Sequence, residues 1–263
     1  VTRGAPVAVF DSGLGGLWVL REIRAYLPAE DLLYLADSDR CPYGPRPRDE
    51  VRTRSLEIGR WLQDRGAKVL VVACNTASGA ALEALREVLE IPVVGMEPAV
   101  KPAVRESPTG RIGVLATAGT LASERFARLL REHAAGVDVL VQPGTGLVER
   151  VEDGEFDGPA VRAVLETALA PFREASVDTV VLGCTHYPFL WDVIAEILGP
   201  EVRLVDSAPA IARQTRRVLE EREMLAESRT GRVRILTTGV PAEVGEVVAR
   251  LWPEPTGVEG VSV

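Results

Sequence analysis

Lys68-Val-Leu-Val-Val-Ala-Cys74-Asn75-Thr76-Ala77 joins an unbroken apolar run, Val69 to Ala73, to a thiol, an amide and a hydroxyl. A β-branched run without alternation marks a strand covered on both faces, as in parallel sheets flanked by helices. Polar chemistry begins where this strand stops. In open α/β sheets ligands sit beyond the carboxyl ends of the strands, so Cys74 stands where a substrate would bind. Further along the pattern recurs: Asp178-Thr179, the run Val180 to Gly183, then Cys184-Thr185-His186-Tyr187-Pro188.

Outward from these two stretches the chain reads as strand, loop and helix, repeated. Val7 to Phe10 leads into Asp11-Ser12-Gly13-Leu14-Gly15-Gly16 and a helix with Leu17, Leu20, Ile23 and Leu27 on one face. Leu32 to Ala36 leads into a long loop holding Arg40-Cys41-Pro42-Tyr43-Gly44, then a helix carrying Val51, Ile58 and Leu62 that closes at Gly66. After Cys74 come a helix with Leu82, Leu85 and Leu89 and the strand Val93 to Gly95. The same order then restarts. Arg111 to Ala116 precedes Thr117-Ala118-Gly119-Thr120, and Val137 to Val141 precedes the loop to Glu149. The strand to Cys184, a short helix from near Phe189 and the strand Val202 to Val205 follow. Alternation of this kind predicts parallel sheets with right-handed crossovers.

The expected fold is α/β, with two pseudo-symmetric lobes, each a parallel-sheet α/β/α sandwich, and an active site in the cleft between them. Boundaries near 98 and 207 assign residues 1–98 and 208–263 to the first lobe and 99–207 to the second. The tail contributes a helix over Ala208 to Arg222, the strand Val233 to Thr237 and a helix with Val244, Val247, Val248 and Leu251.

Composition narrows the function. The 263 residues carry a formal charge of -8, spread through mixed-sign helices, which argues against nucleic acid as the main partner. No apolar run approaches the ~18 residues of a membrane span, and Val1 to Gly4 runs directly into a strand, so neither insertion nor secretion is expected. Three cysteines, Cys41, Cys74 and Cys184, are too few and too scattered for a disulfide scaffold. No Cys-x-x-Cys pair suggests a structural zinc, and reduced thiols in the cytosol are the default. The only lysines, Lys68 and Lys101, lie outside any loop resembling a pyridoxal phosphate site. The first loop has Gly13, Gly15 and Gly16 but lacks the third glycine of a dinucleotide fingerprint.

Two thiols at equivalent strand ends suit one chemistry. Removing a proton from one face of a carbon and returning it to the other needs an acid and a base on opposite sides, and two like groups let the reaction run both ways. A thiol, with its pKa of about 8.5, responds to neighbouring charge and can serve in either role.

Phe10-Asp-Ser-Gly-Leu-Gly-Gly16, Arg40-Cys-Pro-Tyr-Gly44, Ala73-Cys-Asn-Thr-Ala77 and Gly183-Cys-Thr-His-Tyr-Pro188 together resemble the glutamate racemases of the aspartate/glutamate racemase superfamily, from about Pro6 to Leu251. The resemblance implies a cofactor-independent enzyme, without metal, that supplies D-glutamate for bacterial peptidoglycan, commonly as a cytoplasmic homodimer. It implies that Cys74 takes the α-proton from D-glutamate and Cys184 from L-glutamate. Asp11 then assists Cys74, and Glu149 with His186 assists Cys184, with Glu152 only three residues beyond Glu149. The alternatives are that Asp11 caps the next helix and that His186 is a structural histidine. Substrate contacts carried over are Ser12, Tyr43, Gly44, Asn75, Thr76, Thr117, Thr120 and Thr185. Trp18 and Asp39 stand where the family usually has small residues. Rival readings are a racemase of aspartate or another small acid, and a two-lobed anion-binding protein without chemistry.

Overall fold

A computed structural model describes residues 2–227 and 230–263. The first half of the chain forms β1 (Val7–Asp11), α1 (Leu17–Tyr26), β2 (Leu32–Ala36), α2 (Arg48–Asp64), β3 (Val69–Val72), α3 (Asn75–Val88), β4 (Val93–Gly95) and α4 (Val100–Glu106). There follow β5 (Arg111–Ala116), α5 (Ala118–Leu121), α6 (Glu124–His133), β6 (Asp138–Pro143), α7 (Leu147–Glu152), α8 (Pro159–Glu174), β7 (Thr179–Gly183), α9 (Trp191–Leu198) and β8 (Arg203–Val205). The tail adds α10 (Ala208–Glu221), β9 (Val233–Thr237), α11 (Pro241–Leu251) and β10 (Val258–Gly260).

Strands pair in parallel throughout, in two sheets. One runs β10-β9-β2-β1-β3-β4 and the other β6-β5-β7-β8. The order β2-β1-β3-β4 therefore repeats as β6-β5-β7-β8, which is the pseudo-symmetry of the two lobes. The tail enters the first sheet beside β2. Where the chain passes between sheets its two crossings lie together, because Ser207 Oγ donates to the Glu97 carbonyl at 2.7 Å.

Period two in the strands sorts each core into layers. Val7 and Val9 join Leu17, Leu20 and Ile23 of α1 with α10 and α11 on one side of the first sheet. Ala8 and Phe10 pack on the other side against Val51, Ile58 and Leu62 of α2 and Leu82 and Leu85 of α3. The second sheet repeats this: Leu115, Val180 and Leu182 face α8 and α9, while Ile112, Val114 and Val181 face α4 and α6. Gly66, with φ +81°, takes the left-handed conformation that ends α2.

The structure departs from the periodicity reading at short elements. The helix expected from Phe189 begins as a 3-10 turn over Tyr187–Leu190, with Pro188 in its first turn, and becomes α-helical at Trp191. The strand expected at Val137–Val141 runs Asp138–Pro143. Among the described residues no helix is long and apolar enough to cross a membrane.

Candidate active site

Strand register brings the chemistry together. In the first sheet Phe10 pairs with Val72, so Asp11 lies level with Ala73, one step short of Cys74. In the second sheet Ala116 pairs with Gly183, which sets Thr117 level with Cys184. Both thiols are buried and both line one narrow cavity between the two sheets. Ser12, Tyr43, Gly44, Cys74, Asn75 and Thr76 line it from the first lobe, and Thr117, Thr120, Cys184, Thr185 and His186 from the second. Pro42 and Val148, which the sequence motifs did not single out, complete the wall.

Cys74 is the N-cap of α3: its extended backbone turns β3 into the helix, and the Ala77 N–H donates to its sulfur at 3.5 Å. Ser12 Oγ lies 3.8 Å from the same sulfur. Burial, and then the charge of Asp11, push the Cys74 thiol well above its ordinary range, so it rests protonated. Asp11 is itself fully buried, and burial raises its pKa against the hydrogen bonds it accepts. Those bonds come from the Ser12 N–H (2.7 Å), the Gly16 N–H at the start of α1 (2.6 Å) and, across the lobes, Thr185 Oγ1 (3.1 Å). Asp11 thus holds its own loop and touches the second lobe at once.

Cys184 has a different neighbour. Its sulfur lies 3.7 Å from His186 Nδ1, and the other ring nitrogen, Nε2, is 2.6 Å from Glu152 Oε1. Burial presses the imidazole toward neutrality, but its hydrogen bonds to Cys184, Cys41 and Glu152 prevail and hold its pKa well above the usual value. The carboxylate that meets His186 is therefore Glu152 and not Glu149. Both lie on α7 one turn apart, but Glu149 is exposed and faces the outer hollow beside Pro42, Gly44 and Thr117. Helix phase, which Gly146 sets by starting α7 in a left-handed conformation, decides between them.

Hydroxyls bridge the lobes on the opposite side. Thr76 Oγ1 lies 2.8 Å from Thr117 Oγ1 and 3.3 Å from Thr120 Oγ1, and Thr117 caps α5 by accepting the Thr120 N–H at 3.2 Å. Gly44 accepts the Gly119 N–H at 3.1 Å through its carbonyl. Tyr43 lines the cavity, but its hydroxyl donates to buried Asp37 at 2.6 Å, and Arg54 clamps that carboxylate with two hydrogen bonds. Asn75 Oδ1 is buried with no partner among the described residues, an acceptor left for a ligand. Among the described residues no lysine or arginine lines the cavity. Lys68 is committed elsewhere, 2.5 Å from Glu30.

The glycines of the first loop serve close approach. A Cβ on Gly15 would come within 2.6 Å of Thr185 Oγ1 and closer still to the His186 ring. One on Gly13 would collide with Glu152 and lie 2.8 Å from Cys41 Sγ. The Leu14 N–H donates to Glu152 Oε1 at 2.6 Å, and Tyr34 Oη to the Gly13 carbonyl at 2.5 Å. The loop is a joint on which the second lobe rests. Trp18 extends that joint, meeting Phe189 edge-on at 5.4 Å.

Paired sheets that each deliver a strand-end thiol to one cavity define an amino-acid racemase, and the model of the Asp/Glu/hydantoin racemase family matches residues 17–215; the chain belongs to that family. Within it the chain stands with the glutamate racemases. It is 50% identical over 257 residues to the glutamate racemase of Pseudomonas aeruginosa, covering 97% of each chain. Its fold matches glutamate racemase isoform RacE1 from Bacillus anthracis with a TM-score of 0.91 at 35% identity, over 99% of this chain and 98% of that one. It also matches Escherichia coli glutamate racemase, solved with L-glutamate and the activator UDP-MurNAc-Ala, with a TM-score of 0.87 at 34% identity, over 98% and 99%.

Proposed function

We propose that the protein interconverts L- and D-glutamate without a cofactor, by proton transfer between two thiols. The observation that carries this is that Cys74 and Cys184, one from each sheet, line the same buried cavity. With L-glutamate, Cys184 as thiolate removes the α-proton while the Cys74 thiol delivers one to the other face. With D-glutamate the roles exchange. His186, oriented by Glu152, supports charge on Cys184, and Asp11 with Ser12 and the Ala77 N–H supports Cys74. Glutamate is held by Ser12, Tyr43, Gly44, Asn75, Thr76, Thr117, Thr120 and Thr185, with Asn75 Oδ1 accepting from the α-ammonium.

Likeness to the glutamate racemases supports a wider reading: a cytoplasmic homodimer that supplies D-glutamate for peptidoglycan. The lobes divide near residues 98 and 207, a reading that sheet membership supports.

The test is incubation with L-glutamate in heavy water, following optical activity and the α-proton together. Both are expected to disappear without added pyridoxal phosphate, and Cys74→Ser and Cys184→Ser each to slow racemisation by at least about a hundredfold. Exchange of the α-proton with optical activity retained would reduce the mechanism to one face, and full activity in either variant would overturn it.

A further inference from the structure

Cys41 plays no part in the proton transfer, yet it stands beside the residues that do. It lies in the loop after β2, half-buried, and its sulfur, a Glu152 oxygen and a His186 ring nitrogen lie within 4.8 Å of one another. Thiolate, imidazole and carboxylate form a donor set suited to zinc. We propose that Cys41, Glu152 and His186 form an inhibitory site for a thiophilic divalent cation, zinc above all, in the wall of the cavity.

The contacts around His186 favour a cation there. Nδ1 faces the Cys184 sulfur at 3.7 Å, leaving Nε2 to face Glu152, as the two nitrogens of a metal-bound histidine divide between an outer partner and the ion. The Gly15 N–H also points at Nε2, at 3.2 Å, so a backbone donor and a carboxylate both approach this nitrogen. Glu152 Oε1 lies 2.6 Å from the same Nε2, a contact that needs a positive charge between the two atoms. A proton supplies it in the metal-free enzyme. A metal ion can take its place, with Cys41 as the third donor.

Ligand atoms of a tetrahedral zinc stand roughly 3.3–3.6 Å apart, given bonds of about 2.0–2.3 Å, so Glu152 has to draw back by under about 1 Å and Cys41 to close in by up to about 1.3 Å. The Leu14 N–H already supports the carboxylate, and Gly13 leaves room for Glu152 and Cys41 to meet. Gly15 N–H gives up its contact with Nε2. A water completes the coordination. Binding releases the proton shared by Nε2 and Glu152 and that of the Cys41 thiol, with no change of oxidation state.

Occupancy takes the Nε2 proton and the Glu152 partner away from the His186 that serves Cys184, and stops turnover. That consequence rests on the proposed racemisation; the binding does not. Untagged protein, stripped with a chelator, is dialysed against zinc and, separately, cobalt. One ion per chain is expected, with a thiolate-to-cobalt charge-transfer band in the near ultraviolet and loss of activity that chelator reverses. Cys41→Ser, with its circular dichroism unchanged, should abolish the band and weaken zinc by at least about tenfold. Glu152→Gln should weaken zinc and keep the band, and Cys184→Ser should also keep it. No stoichiometric uptake, or a band that survives Cys41→Ser, overturns the site. Uptake by a protein that racemises no glutamate overturns the functional reading and leaves the site standing.

Discussion

His186 is engaged at both ring nitrogens, by Cys184 on one side and Glu152 on the other, whereas Cys74 has only Asp11, Ser12 and a backbone N–H for support. Under the proposed two-thiol transfer the two faces of the substrate meet unlike acid–base partners, though the enantiomers have equal free energy. Equal free energies force kcat/KM to be the same in both directions for any variant. His186→Asn should therefore lower kcat/KM equally for L- and D-glutamate, by about a hundredfold. The difference between the faces appears elsewhere: the primary isotope effect with α-deuterated L-glutamate should grow more than with the D-enantiomer, because deprotonation by Cys184 becomes the slower step. Equal growth in both directions would mean that His186 serves the two thiols alike. The pairing of His186 with Glu152 was not legible in the sequence, since Glu149 and Glu152 share a helix and only the three-dimensional phase of α7 selects one. The nearness of Cys41 to His186 was hidden for the same kind of reason, because a loop carries no periodicity from which to place a side chain.

At the level of elements, the long strands and helices were readable, and so were the short strands at Val93–Gly95 and Arg203–Val205, but other short elements were not. Val69 to Val72 and Thr179 to Gly183 announce themselves by unbroken apolar runs, and α2, α3 and α8 by apolar residues three and four apart. The seven residues of α4 and three of β10 are too few to show a period, and their packing decides their form. The start of β7 is pinned by a side chain. Asp178 accepts from Ser107 Oγ (2.7 Å), the Thr109 N–H (2.8 Å) and hydroxyl (2.5 Å), and Thr179 Oγ1 (2.7 Å), tying β7 to the turn before β5. Partial burial works against its charge, but these hydrogen bonds hold its carboxyl below the ordinary carboxylate range. The unfolded chain then binds the proton more readily, so stability is present above the unfolded pKa and is lost as pH falls through the folded one. Asp178→Asn should lower the denaturation midpoint at about pH 6 and flatten its decline below about pH 4, as urea titrations across that range will show. At the far edge Lys68, fully buried, joins β3 to Glu30 and donates to the carbonyls of Arg3 (2.6 Å) and Met224 (2.8 Å). Lys68→Met leaves the Glu30 charge buried without its partner and should cost about 3–5 kcal/mol in urea unfolding, part of it recovered in Lys68→Met/Glu30→Gln.

Across the whole molecule, the repeated strand order matters more than any single contact, because it carries one cysteine to the same strand end in each sheet. That much could be inferred from the order of elements alone. The joint between the lobes could not: Gly13, Gly15 and Gly16 resemble a phosphate loop in sequence, and only the structure shows them filled by His186, Thr185, Glu152 and Asp11. The cavity beneath that joint has hydroxyls, amides and backbone N–H groups in its wall and, among the described residues, neither lysine nor arginine. Its one cationic side chain, His186, is already engaged by Glu152 and Cys184. The chain as a whole carries -8. An anion therefore diffuses toward a surface that repels it weakly and is gripped only after arrival, by short-range dipoles. Capture of glutamate should then proceed without electrostatic steering, and kcat/KM should hold steady or rise slightly between about 20 and about 200 mM salt as the repulsion is screened. A several-fold fall over that range would reveal a cationic funnel. Without one, selectivity among small acids is exercised after the encounter, in the grip of the closed cavity, and the rate of arrival is nearly the same for all of them.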